Sequence, residues 1–132
     1  GLHKGACVLS EASAAPKCIL IGTGSEVQLA MGAKDELEKA GIPTRVVSMP
    51  CTEEFRAQDA AYKESVLPKA VKARVSVEAG VTFGWREFVG DAGECVGVDE
   101  FGASAPDKIL FEQYGLTVGH VVAAAKKSLG AA

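Results

Sequence analysis

Residues 22–26 read Gly-Thr-Gly-Ser-Glu, a glycine loop set between an apolar run and a helical pattern. Backbone N–H groups left free at such a helix start, together with the Thr23 and Ser25 hydroxyls, can hold a phosphate or a carboxylate. Gly22, Thr23, Gly24 and Ser25 are therefore the candidate anion-binding residues. No Lys-Ser/Thr pair follows, so this is not a Walker loop, and the third glycine of a dinucleotide fingerprint is missing. Glu26, in the first helical turn, would repel an anion. Glycine also serves tight strand-to-helix turns in any α/β domain, because it accepts positive φ. Turn and anion site both stay open on the residues alone.

A second cluster is Glu78-Ala79-Gly80, followed by Trp85 and Arg86. It falls at the end of a strand-like run, and the carboxyl ends of parallel strands are where α/β sheets place ligand groups. Glu78 can serve as an acid or base, but no partner stands at a recognisable spacing. Capping a helix or facing a neighbouring surface are its structural alternatives. Asp99-Glu100-Phe101-Gly102 occupies the equivalent end of the next strand. Trp85, the single tryptophan, sits beside Phe83 and Phe88 and suits either a core or a subunit contact, where aromatic residues are enriched. Glu78, Trp85 and Arg86 are the candidate interface residues, and burial of Trp85 within one chain would remove it from that set.

The remaining reactive side chains are scattered. His3 lies in a terminal tail, and His120 lies off the apolar stripe of the last helix, so no Ser-His-Asp or Cys-His arrangement can be built. Cys7, Cys18, Cys51 and Cys95 form no CxxC pair and have no histidine at ligand spacing, which suits reduced cysteines better than a disulfide or zinc framework. Cys18 and Cys95 open apolar runs, and Cys51, between Pro50 and Thr52, is expected to be the most accessible. Lys69, Lys72 and Arg74 make a modest basic patch of the kind solvated faces carry. No catalytic, cofactor-binding or metal-ligating residue is assigned.

What must position these groups is one domain. The chain has 132 residues, 48% of them apolar, with 14 basic and 17 acidic side chains for a net charge of −3. A chain of that size buries roughly 68–70% of its unfolded surface. The negative balance excludes a strongly basic nucleic-acid module, and no apolar run approaches the roughly 18 residues of a membrane span. No signal peptide is recognisable, and the initial glycine suggests a piece of a longer chain.

The pattern predicts a short strand over 6–9, a breaker-rich linker over 11–17, and a fully buried strand over 18–22. Ser25 is placed as N-cap of a helix whose Val27, Ala30, Ala33, Leu37 and Ala40 form one stripe, ending at Gly41. A strand over 44–49, helical pieces around Phe55 and over 59–67, and a strand over 73–78 follow. A short helical segment carries Trp85, Phe88 and Val89, and another strand covers 95–98. A helix runs from Ser104 to about Tyr114, and Thr117 caps a last helix with Val118, Val121, Val122, Ala125 and Leu129 on one face. Strands and helices alternating this way imply a three-layer α/β sandwich. Its sheet is mostly parallel and roughly five-stranded, with helices on both faces and the first strand as an antiparallel edge.

Read together, Ile21-Gly-Thr-Gly-Ser-Glu-Val27, Arg45-Val-Val-Ser-Met-Pro50 and Tyr62-Lys-Glu-Ser-Val-Leu-Pro68 resemble the C-terminal domain of transketolase. Ala73-Arg-Val-Ser-Val-Glu-Ala-Gly80, Phe101-Gly-Ala-Ser-Ala-Pro106 and Tyr114-Gly-Leu-Thr-Val118 continue the resemblance in order, over nearly the whole of 1–132. Residues 1–17 then stand for an incoming linker plus the edge strand. The resemblance implies a homodimeric enzyme that moves a two-carbon ketol unit between sugar phosphates, in the pentose phosphate or Calvin pathway. It also implies a cytoplasmic or plastid-stroma location. Thiamine diphosphate and a divalent metal, Mg or Ca, would be bound by upstream domains absent from these residues. This domain would support the dimer without catalysing, and a regulatory nucleotide site has been suggested for it. The C-terminal domains of deoxyxylulose-phosphate synthase and of pyruvate dehydrogenase β-type chains are the neighbouring alternatives.

Overall fold

Cys-Ile-Leu-Ile-Gly forms β2 (Cys18–Gly22), and all five of its residues are buried. A strand with neighbours on both sides and helices on both faces requires that composition. In this computed structural model, which describes residues 4–78, 84–97 and 117–131, β2 pairs in parallel with β3 (Thr44–Ser48) and with β4 (Arg74–Glu78). β4 pairs in parallel with β5 (Glu94–Gly97), and β1 (Cys7–Ser10) lies antiparallel to β3 at the other edge. The order β1-β3-β2-β4-β5 is the expected mixed sheet with one antiparallel pair. Segment 11–17 is too short for the crossover of about a dozen residues that a parallel return needs, so β1 must run the other way. The β1–β3 register shifts between Val8 and Ser10, and Leu9 there is 50% exposed.

Strand alternation splits the core in two. Cys18, Leu20, Val46, Val75 and Val77 face α1 (Val27–Lys39) and α5 (Val118–Ala131). Ile19, Ile21 and Val47 face α2 (Thr52–Arg56), α3 (Ala60–Val66) and α4 (Arg86–Val89), which supply Phe55, Val66, Phe88 and Val89. Small residues bring the two long helices together: a Cβ on Gly32 of α1 would lie 2.8 Å from Val118 Cγ2 of α5.

The helix ends follow local chemistry with one correction. Ser25 is not the N-cap of α1. A 3₁₀ turn over Gly24–Glu26 comes first, and Glu26 holds the cap position with helical φ and ψ of −68° and −16°. The switch from extended to helical backbone falls earlier, at Gly24 with φ +55°. Gly41 ends α1 at φ +81° as expected. Asp59 caps α3 by accepting from the Tyr62 amide at 2.8 Å, and Thr117 Oγ1 accepts from the His120 amide at 3.3 Å at the start of α5. His3, Phe83, the Asp99–Gly102 cluster and the helix expected from Ser104 lie outside the described residues.

All four cysteines are free thiols. Burial pushes the Cys18 thiol up to about 12, so it behaves as a small apolar side chain. Cys51 is half-buried like Cys7 and Cys95, and so is not set apart by exposure.

Candidate functional site

From β2 the chain moves one way to β3 and later the other way to β4, so the connections part at the carboxyl ends of β2 and β4. That divergence opens the crevice in which doubly wound sheets hold ligands. The glycine loop leaves β2 there and Glu78 ends β4 there. Across the crevice the Thr23 hydroxyl donates to Glu78 Oε2 at 2.7 Å. Glu78, without a recognisable partner in the sequence, thus finds one in the other candidate cluster, 55 positions away. Thr23, Glu78, Pro50, Thr52, Arg56 and Trp85 help line a cleft of about 310 Å³.

Glu78 is the acidic residue lining this cleft and Arg56 the basic one. Glu26 is 6% exposed, and its Oε2 lies 3.6 Å from where a Cβ on Gly24 would stand. Arg56 Nε donates to both carboxylate oxygens of Glu87 at 2.9 Å, and its guanidinium stands 5.6 Å from the Phe88 ring centroid. Among the described residues no group of three or more His, Cys, Asp and Glu could hold a metal ion.

Trp85 is 7% exposed, with its ring centroid 5.8 Å from that of Phe88. On the burial criterion stated for it, Trp85 belongs to the core; the flat ring fills the second face beneath the cleft. Arg86 is exposed, and its guanidinium donates to the Gly90 and Gly93 carbonyls, closing the turn before β5.

The basic patch is divided by the fold. Lys69 and Lys72 are exposed, whereas Arg74 donates to the carbonyls of Leu67, Pro68, Val71 and Phe88 at 2.8–3.1 Å. Burial holds its pKa below the ordinary arginine value, and Glu64 opposes that shift. Arg74 is thus a tie between α3, α4 and β4. Its signal was an arginine in a strand otherwise rich in valine.

Two further ties escaped the sequence reading. Arg45 makes a two-point pair with Glu11 at 2.8 and 3.0 Å and also donates to the carbonyls of Ser65 and Val66 at the end of α3. Ser128 accepts from the Arg74 amide at 3.1 Å and donates to the Ala92 carbonyl. Ser128 follows Val121 and Ala125 at helical spacing, so a polar residue in the buried stripe was its visible sign.

The fold and crevice define a class, an open α/β domain whose carboxyl-end polar groups are bonded to one another. The model of the Transketolase-like TK C-terminal domain family matches residues 5–117, and the chain belongs to that family. It is 53% identical over 129 residues to a protein named "Transketolase, chloroplastic" of Solanum tuberosum, covering 96% of this chain and 17% of that relative. A solved transketolase from Leishmania mexicana superposes with a TM-score of 0.88 at 38% identity, over 98% of this chain and 18% of that one. A structure described as "Split gene transketolase, inactive beta4 tetramer" matches at a TM-score of 0.72 and 29% identity, over 97% of this chain and 43% of that one. The chain therefore spans under a fifth of the length of the potato relative and of the Leishmania structure.

Proposed function

We propose that this chain is the structural, dimer-supporting C-terminal domain of a transketolase and does not itself catalyse. The longer enzyme would transfer a two-carbon ketol unit between sugar phosphates, in the pentose phosphate or Calvin pathway. Its thiamine diphosphate and divalent metal, Mg or Ca, would lie on upstream domains. The observation that carries this reading is one of coverage. The family match takes in most of this chain, yet the chain spans only 17–18% of the potato and Leishmania transketolases. The bonding at the crevice supports it, because Thr23 and Glu78 satisfy each other and Arg56 is held by Glu87. The split-gene relative, described as an inactive tetramer, supports a transketolase piece that associates without activity. The potato name favours a transketolase parent over a related thiamine enzyme and is consistent with a plastid stroma location, alongside a cytoplasmic one. Among the described residues no helix is long and apolar enough to cross a membrane. Glu78 and the exposed Arg86 remain the proposed contacts toward upstream domains or a second subunit.

The test is a ketol-transfer assay of this chain with xylulose 5-phosphate, ribose 5-phosphate, thiamine diphosphate and Mg. No turnover is expected, and turnover by the chain alone would overturn the assignment. Anion binding at Gly22, Thr23, Gly24 and Ser25 is the second reading, resting on the glycine turn at the crevice. The bond from the Thr23 hydroxyl to Glu78, which commits that hydroxyl, weighs against it. Phosphate or a nucleotide at millimolar concentration should leave the Thr23 and Gly24 amide signals in place, and a saturable shift there would restore the anion site.

A further inference from the structure

Lys4 and Gly5 read in the sequence as part of the entry linker and Ala6 as the start of the first strand, yet all three are bound to α2, α3 or the residue before α2. Ala6 is fully buried in that core, and its carbonyl accepts the Tyr62 hydroxyl at 2.7 Å. Gly5 has φ +87° and accepts the Cys51 amide at 3.1 Å. A Cβ on Gly5 would lie 2.3 Å from both the Cys51 carbonyl oxygen and the Phe55 nitrogen. Conformation and backbone contact both admit glycine alone there. Lys4 Nζ stands 4.5 Å from the centroid of the Tyr62 ring, which meets Phe55 edge-on at 6.3 Å. The segment before α2, together with α2 and α3, makes a socket, and β1 starts at the next residue.

We propose that Lys4, Gly5 and Ala6 form a fixed joint, seated against α2 and α3, that sets the point and direction at which an upstream polypeptide enters the domain. The proposal rests on the reading above that a transketolase chain continues upstream. A flexible tether leaves its backbone groups to water and lets its ends wander. Here two consecutive carbonyls and a side chain are each held by a different group of the socket. The joint makes the two short helices the part of the domain that sets how upstream domains are carried.

Hydrogen exchange on this chain tests the seat directly. The Cys51 amide should be protected to the degree of β3 amides. Tyr62→Phe, which keeps the ring and removes the hydroxyl, should speed exchange at Cys51 by up to about tenfold, the factor implied by one hydrogen bond of ordinary net strength. Exchange in α1 should not change. Unprotected exchange at Cys51, or an equal acceleration everywhere in Tyr62→Phe, would overturn the joint. In the longer transketolase chain, Gly5→Ala should open a protease cut within residues 1–10 that the unaltered chain resists, and equal cutting of both would also overturn it. Ketol transfer by the unaltered longer enzyme is read separately. Its absence would count against the transketolase parent and leave the exchange result to judge the joint.

Discussion

The two faces of the sheet are held by different physics. On one, α1 and α5 are long and meet through small residues: Ala30, Ala33, Ala125 and Gly32 let the helices and sheet approach closely. On the other, α2, α3 and α4 are four to seven residues each, too short to hold their own shape. Aromatic rings and arginines do that work instead. Phe55 and Phe88 lie 6.1 Å apart, Phe88 contacts Trp85, and Arg45 and Arg74 collect the carbonyls at helix ends that no helical amide reaches. A face of long helices is set by repeat spacing. A face of short helices is set by particular side chains, and every polar group assigned to the cleft or the joint belongs to it or borders it.

Truncation at the centre of the aromatic face tests the difference most severely. Phe88→Ala removes contacts to Trp85, Phe55 and the Arg56 guanidinium together, and is expected to cost about 3–5 kcal/mol in urea unfolding. On the opposite face, Gly32→Ala meets only the end of the Val118 side chain and should cost about 1–2 kcal/mol. Equal losses from the two changes would remove the distinction between the faces. Ser76 sharpens it from the other direction. Among the described residues its buried hydroxyl has no hydrogen-bond partner, on the aromatic face between Ile21 and Cys95 of the neighbouring strands. Ser76→Ala should therefore be neutral or stabilise by up to about 1 kcal/mol, and a clear loss of stability would show that the hydroxyl is satisfied.

The smallest effect is the pH dependence, which touches each face once. The Arg45 guanidinium holds the Glu11 carboxyl below its ordinary value on the α3 side. The Ser13 hydroxyl, followed by the Thr44 amide, does the same for Glu38 at the end of α1. A carboxyl lowered on folding stabilises above its unfolded pKa, about 4.3 for glutamate, and the contribution fades as pH falls through the folded value. Acidification below about pH 4.5 should thus weaken the native chain more steeply than Glu11→Gln or Glu38→Gln, measured by urea midpoints. Identical profiles would show that neither carboxyl is linked to folding.

Much of the fold was legible because it rests on period and punctuation. The buried run 18–22, the stripe of α1, Gly41, Asp59 and Thr117 each report a local preference, and local preferences survive into the folded chain. The Ser25 cap was misplaced by such a rule, since a glycine turn just ahead had already bent the backbone. The site was legible only in its parts. Thr23 and Glu78 were both singled out, but a bond between residues 55 positions apart leaves no spacing to read. Arg74 looked like a surface charge because a sequence cannot show four carbonyls converging on one guanidinium.

By itself, the sequence determined the α/β class, the antiparallel edge, the long helices and, through its ordered motifs, the transketolase resemblance. These follow from side-chain period, turn chemistry and chain length, which act between near neighbours. Only the tertiary structure decided that Trp85 belongs to the core, that Glu78 is bonded to Thr23, and that the entry segment at Lys4, Gly5 and Ala6 is seated in a socket. Those outcomes depend on which distant groups the crossovers bring within about 3 Å of one another, and no local preference encodes that.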